Sequence, residues 1–310
     1  HLKFDNADHI LRIIDRMVAP LGKRFDEPTP IGNFRLLDGS RMSAIHYTIA
    51  DNGPILTITK RDHRSLDVAD LIRFGTVTEP AMKMLRVCVL VGCNILITGL
   101  PDAGRTTLLN VLCGFIPSDE LIVTIEDASE LSLLQEEIVL LHTRPPNVAN
   151  EGEITKQHLL RYSEALNPDR IVVSEVSGEE VYNLMTTSIP WMTTFLARDP
   201  EEAVPKLEPL YLMGDEKRPL KAVRSRISDR VDLIIHIDRL RSGDRRVTRI
   251  SEVYFDNNEQ VVVHDLFRFE DISGLEQPRL QGMLRRVNQP TNNLRHRLGD
   301  EIIKMFNDEA

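Results

Sequence analysis

Asn94-Ile-Leu-Ile-Thr-Gly-Leu-Pro-Asp-Ala-Gly-Arg-Thr-Thr-Leu-Leu109 decides how this chain folds. An apolar strand runs into Gly99, a second glycine follows at position 104, and a helix-like segment begins at once. The spacing matches the phosphate-binding pattern G-x-x-x-x-G-K-[ST] except that Arg105 stands in the lysine position. Glycines there let successive backbone N–H groups turn inward, and the helix N-terminus behind them adds partial positive charge. The residues expected to touch phosphate are therefore Gly99, Pro101, Asp102, Ala103, Gly104, Arg105, Thr106 and Thr107. The Thr106 hydroxyl would coordinate Mg²⁺.

Glycines at this spacing also arise by chance, so the surroundings carry the argument. From residue 94 the chain alternates short apolar runs with helical segments, the mark of a sheet with helices on its faces. Strands are expected at Asn94 to Thr98, Leu121 to Ile125, Ile138 to Leu141, Ile171 to Val173, Thr193 to Leu196 and Val231 to Ile237. Runs without alternation suit a mainly parallel sheet buried on both faces. A terminal hairpin follows, Val247 to Phe255 and Gln260 to Phe267 around Asp256-Asn-Asn-Glu259, and then a polar tail with one amphipathic helix near Leu298 to Phe306. Ligands collect at the carboxyl ends of such strands. There Glu126-Asp127 and Glu175 follow two of the runs, and Glu126 and Glu175 are the candidates for holding the metal's water shell and polarising an attacking water. For Asp127 a turn or capping role is the stronger reading.

Before this region the pattern differs. Ile10, Ile13, Ile14, Met17 and Val18 recur at helical spacing until Pro20. Short strands then run from Phe34 to Thr59, broken at Asp38-Gly39 and Asn52-Gly53. Ser65 to Phe74 reads as a helix stopped by Gly75, and the boundary is expected between Gly75 and Pro80, giving a small α+β domain over 1–78 and an α/β domain over 79–310.

Composition narrows the function classes. Lys and Arg number 38 against 47 Asp and Glu, a net charge of −9, so general attraction to nucleic-acid phosphates is not expected. No apolar run is long enough to span a bilayer and no signal-peptide pattern opens the sequence, which points to a soluble protein. Cys88, Cys93 and Cys113 show no metal-ligand spacing and read as buried thiols in a reducing compartment. Trp191 reads as core. The basic run Arg239-Leu-Arg-Ser-Gly-Asp-Arg-Arg246 reads as a solvated hairpin turn.

Asp38-Gly-Ser-Arg41, Thr124-Ile-Glu-Asp-Ala-Ser-Glu130, Thr143-Arg-Pro-Pro-Asn147, Pro168-Asp-Arg-Ile-Val-Val173 and Val231-Asp-Leu-Ile-Ile-His236, with the loop itself, resemble the CpaF-type ATPases of the type II/type IV secretion and tight-adherence pilus-assembly superfamily. The likeness covers essentially the whole chain. It implies a RecA-like P-loop NTPase domain behind a smaller N-terminal domain, with ATP or ADP and Mg²⁺ between the two. It also implies a cytoplasmic hexamer under inner-membrane platform proteins. Arg41 and Arg144 match family arginines at the nucleotide, and Glu126 and Glu175 match the acids of the Asp box and Walker B motif.

The likeness is uneven where the chemistry lies. The family lysine is Arg105, Leu100-Pro-Asp-Ala103 replaces glycine-rich residues, and Pro101 lacks an N–H donor. Ser174 and Ser177 stand for glycine and arginine, Ser188 and Leu196 for the two histidines of the histidine box, and Ala165 and Asn167 for arginines. One lost phosphate contact weakens binding by about 1.5 to 3 kcal/mol. Each lost transition-state donor costs a factor of about 10² to 10³ in rate. Two functions of different class follow. One is a degenerate pseudo-ATPase acting as a structural or regulatory subunit, in a homo-hexamer or a ring shared with an active paralogue. The other is a working motor with Glu175 as base. A DNA-conjugation ATPase of the same superfamily is a third.

Overall fold

The computed structural model describes residues 4–36, 40–60, 66–147, 151–215, 217–256, 258–271 and 282–299. The chain divides into two compact units, 1–65 and 66–310.

In the first unit, α1 (Ala7–Val18) precedes an antiparallel sheet of β1 (Ile31–Arg35), β2 (Arg41–Ile45) and β3 (Ile55–Thr59), in that order. Asn6 caps α1 by accepting from the His9 amide at 2.9 Å, so the helix starts ahead of its apolar stripe. Ile14 and Val18 bury against Phe25, Phe34, Met42 and Ala44. The expected turn at Asp38-Gly39 lies outside the described residues.

The second unit contains, in chain order, α2 (Val68–Arg73), α3 (Glu79–Leu90), β4 (Ile95–Gly99), α4 (Arg105–Cys113), β5 (Ile122–Glu126), β6 (Ile138–His142), α5 (Lys156–Ser163), β7 (Arg170–Val173), α6 (Glu180–Thr186) and β8 (Trp191–Leu196). It continues through α7 (Pro200–Gly214), α8 (Leu220–Arg230), β9 (Leu233–Arg239), β10 (Arg245–Phe255), β11 (Val261–Asp271), β12 (Gly282–Arg286) and α9 (Asn292–Leu298). Its sheet runs β12-β11-β10-β9-β4-β8-β7-β5-β6. The six strands from β9 to β6 are mutually parallel, and β10, β11 and β12 extend β9 in antiparallel fashion.

Period-two geometry explains why the parallel strands read as unbroken apolar runs. In β4, Ile95 and Ile97 join one core with α3 and α4, while Leu96 joins the opposite core with α5 to α8. In β9, Leu233, Ile235 and Ile237 face the first core and Ile234 the second. Trp191 is buried in the second, and all three cysteines are buried free thiols. Burial pushes the Cys113 thiol far above its ordinary pKa.

The division of the chain falls earlier than 78/79. An Asp67–Asp70 capping box opens α2, as local sequence suggests, yet Leu71 and Val77 bury in the core shared with α3 and α4, and the Val247 amide donates to the Thr76 carbonyl at 2.7 Å. Periodicity reveals which face of a helix is apolar but not which sheet covers it. β12, inside the stretch read as a polar tail, pairs β11 from Phe267↔Arg286 to Asp271↔Gly282. Only Leu284 of β12 is buried, which left no alternation to read. Of the helix expected near Leu298 to Phe306, residues 300–306 lie outside the described residues; α9 ends at Leu298.

Candidate nucleotide site

The parallel strands bring Gly99, Glu126, Glu175 and Leu196 to one edge of the sheet. Gly99 ends β4, and a Cβ there would lie 2.3 Å from the Ile237 carbonyl oxygen, so only glycine lets the loop leave the strand this close to β9. The chain then turns through Leu100 to Ala103, with the Ala103 amide donating to the Leu100 carbonyl at 3.2 Å and Asp102 left-handed at φ 61°. Gly104 caps α4 at φ 100°. Ala103 is buried while Pro101 and Asp102 are exposed, so the loop stands on its alanine and shows its proline and acid to solvent.

Arg105 opens α4 with its side chain largely buried, and its Nη1 donates to Glu175 Oε1 at 2.9 Å. The residue in the lysine position and the residue in the base position are thus paired with each other. Thr106 Oγ1 donates to Glu130 Oε2 at 3.1 Å. Glu126 is buried and its Oε2 accepts from the amides of Glu130 and Leu131 at 2.6 and 3.0 Å. It orders the chain after β5, and through that chain the Glu130 carboxylate meets Thr106. Sequence reading chose Glu126 for its place at a strand tip and passed over Glu130, whose only signal was its place in the quoted Asp-box stretch. Asp127 neither caps a helix nor closes a turn with its side chain; its Oδ2 lies 2.6 Å from Lys156 Nζ and its Oδ1 accepts from Thr143 Oγ1.

Thr107 is exposed on the first turn of α4. Leu196 pairs in register with Gly99 and has no titratable group to offer there. Arg144 lies away from the loop in sequence and is exposed; its Nε donates to the Gly152 carbonyl at 2.8 Å. Arg41 lies on β2 of the first unit, opposite Thr59 and Arg35.

Beside the loop is a cavity of about 540 Å³, lined by Leu71, Phe74 and Thr76, by Gly104 to Leu108, and by Ile237 and Gly243 to Arg246. That volume suits a nucleotide-sized ligand. The basic run expected to be a solvated turn contributes two arginines to this wall. Arg245 Nε donates to the Asp102 carbonyl at 3.0 Å, and Arg246 Nη1 donates to the Phe74 carbonyl. Their contacts lie 143 and 172 residues away in sequence, beyond any local pattern. Below the loop, buried Thr98 Oγ1 lies 2.8 Å from His236 Nδ1, and His236 Nε2 lies 3.3 Å from Asp238 Oδ2. Burial of Asp238 raises its pKa, but the hydrogen bonds from His236 and Thr248 outweigh this and hold it below the ordinary carboxylate value.

Among the described residues no three His, Cys, Asp or Glu side chains converge as a metal cage. Mg²⁺ at a phosphate loop needs none, because one hydroxyl, the phosphates and water complete its octahedron. Thr106 with Glu130 provides an oxygen pair suited to that task. No described helix is long and apolar enough to cross a membrane.

A profile of the type II/IV secretion system protein family matches residues 1–265. A Mycobacterium tuberculosis protein provisionally named for conjugal transfer is 30% identical over 264 residues, spanning 81% of this chain and 73% of its own length. Among solved structures, the ATPase DotB of Yersinia pseudotuberculosis superposes with a TM-score of 0.57 at 13% identity, over 83% of this chain and 70% of its own. The VirB11 ATPase of the Brucella suis type IV secretion system, in complex with sulphate, superposes at 0.50 with 20% identity over 81% of each chain. These likenesses agree with a RecA-like P-loop domain behind a smaller α+β domain.

Proposed function

The chain belongs to the family of type II/IV secretion system proteins, and from that premise we propose that it is a nucleotide-binding ring subunit of a secretion or pilus-assembly machine whose own hydrolysis is weak or absent. The carrying observation is the 2.9 Å Arg105–Glu175 pair. A guanidinium committed to a carboxylate neutralises the acid read as the base and withholds the loop's own cation from phosphate. Leu196 beside Gly99 supplies no transition-state donor, which supports the same reading.

In this reading ATP or ADP lies over Gly99 to Thr107, with Mg²⁺ on Thr106 and Arg144 as a further phosphate contact. The subunit acts at the cytoplasmic face of the inner membrane, in a homo-hexamer or a ring shared with an active paralogue, beneath platform proteins. The tight-adherence branch is favoured by its motifs. Service to a conjugation apparatus is the second reading, favoured by the M. tuberculosis relative's name. Steady-state ATPase assay together with calorimetry on ADP tests the proposal: binding with negligible turnover is expected. Robust turnover that Glu175→Gln abolishes would establish the working-motor alternative.

A further inference from the structure

Arg105, the cation that the loop itself carries, is directed across the sheet edge to Glu175. Asp102, in the loop, is exposed and acidic. A triphosphate or diphosphate over this loop would meet no side-chain cation from the loop while Arg105 stays paired. Arg245 reaches the same place from the other side. It starts β10, its Nε sits 3.0 Å from the Asp102 carbonyl oxygen, and it lines the cavity that the first turn of α4 lines.

Two features of the backbone make room for it. A Cβ on Gly104 would lie 2.9 Å from Arg245 Cδ, so the arginine stem rests directly on the loop glycine. The Leu240–Asp244 turn, closed by the Leu240 amide on the Asp244 carbonyl at 2.8 Å, places β10 opposite β9, whose Ile237 carbonyl already abuts Gly99. Arg246 turns instead to the Phe74 carbonyl and toward Asp244, on another part of the same cavity wall. Only one arginine of the adjacent pair is thus delivered to the loop.

We propose that Arg245 is a phosphate-contacting residue of the nucleotide site and stands in for the missing loop lysine. Nε anchors the guanidinium on the loop carbonyl. The planar fork beyond it presents two nitrogens to phosphate oxygens, a geometry that suits bidentate contact. This rests on the nucleotide-binding reading above, and its test keeps the two separable.

Glutamine at 245 carries an amide nitrogen at the place of Nε. Arg245→Gln therefore keeps a donor for the Asp102 carbonyl while removing the fork and its charge. Wild type, Arg245→Gln, Arg245→Lys and the control Arg241→Gln are titrated calorimetrically with Mg-ADP and with adenosine. Arg245→Gln is expected to weaken ADP about ten- to hundredfold, the size of a lost charged hydrogen bond, with adenosine unchanged. The loss should shrink as salt rises. Arg245→Lys recovers part of the loss, and Arg241→Gln, on the same turn but outside the cavity wall, leaves the ADP-to-adenosine ratio as in wild type. ADP binding to Arg245→Gln as tight as to wild type, equal losses for ADP and adenosine, or no recovery in Arg245→Lys would each overturn the role of Arg245 while leaving nucleotide binding intact. A wild-type chain that binds no ADP overturns both readings together.

Discussion

Glu175→Gln separates a self-neutralised site from a working one because the two predict opposite signs. In the structure, Arg105 is 12% exposed and Glu175 43% exposed at a contact of 2.9 Å. Glutamine keeps an acceptor oxygen but turns a charge-assisted hydrogen bond, about 1.5 to 3 kcal/mol, into a neutral one of about 0.5 to 1.5. Solvent at the half-exposed carboxylate screens the difference toward its lower end, so the pair loses about 1 kcal/mol. For a unit spanning residues 66–310 that loss lowers the melting temperature by roughly 2 to 4 °C. The same energy no longer holds Arg105 away from phosphate. Mg-ADP should bind about fivefold more tightly to the variant, since 1.4 kcal/mol corresponds to tenfold. Differential scanning calorimetry and titration calorimetry measure both effects. Unchanged or weaker ADP affinity with unchanged melting would refute the claim that the pair constrains the free site.

Two further predictions concern the scaffold. Gly104→Ala places a side chain at φ 100° and 2.9 Å from Arg245 Cδ; urea unfolding should register a loss of about 1 to 3 kcal/mol, and ADP binding should fall with it. Asp265, on β11, is raised by burial but held below the ordinary carboxylate value by hydrogen bonds from Arg249, Ser251 and Arg268. A folded pKa below the unfolded one contributes stability that is present above pH about 4 and lost as pH falls through the folded value. Asp265→Asn should therefore be destabilised by about 2 to 3 kcal/mol at pH 7, with the gap to wild type narrowing below pH 4 in thermal melts.

What was legible from residues alone was whatever is encoded locally. Gly99 and Gly104 announce the phosphate loop because backbone turns need glycine within a few positions. Five of the six parallel strands announce themselves because burial on both faces demands unbroken apolar runs; β6, at the sheet edge, is partly exposed. The hairpin of β10 and β11 showed in its alternation and turn residues. Resemblance added the family, and with it the suspicion that the catalytic residues are depleted.

Partnerships between distant elements were not legible. Nothing in the sequence says that Arg105 meets Glu175, 70 residues on, instead of phosphate. Glu126 was chosen for its strand-tip position, yet burial turned its carboxylate to amides that order the chain bearing Glu130. The run 239–246 is the exposed hairpin turn that its composition suggests, but composition does not show that sheet order sets β10 next to β9, and β9 next to β4. That order, fixed by packing of the whole sheet, is what carries Arg245 onto the loop. The sequence by itself determined the loop and the parallel core; the tertiary structure alone decided which charges meet, because charge pairing depends on through-space distance and local pattern does not.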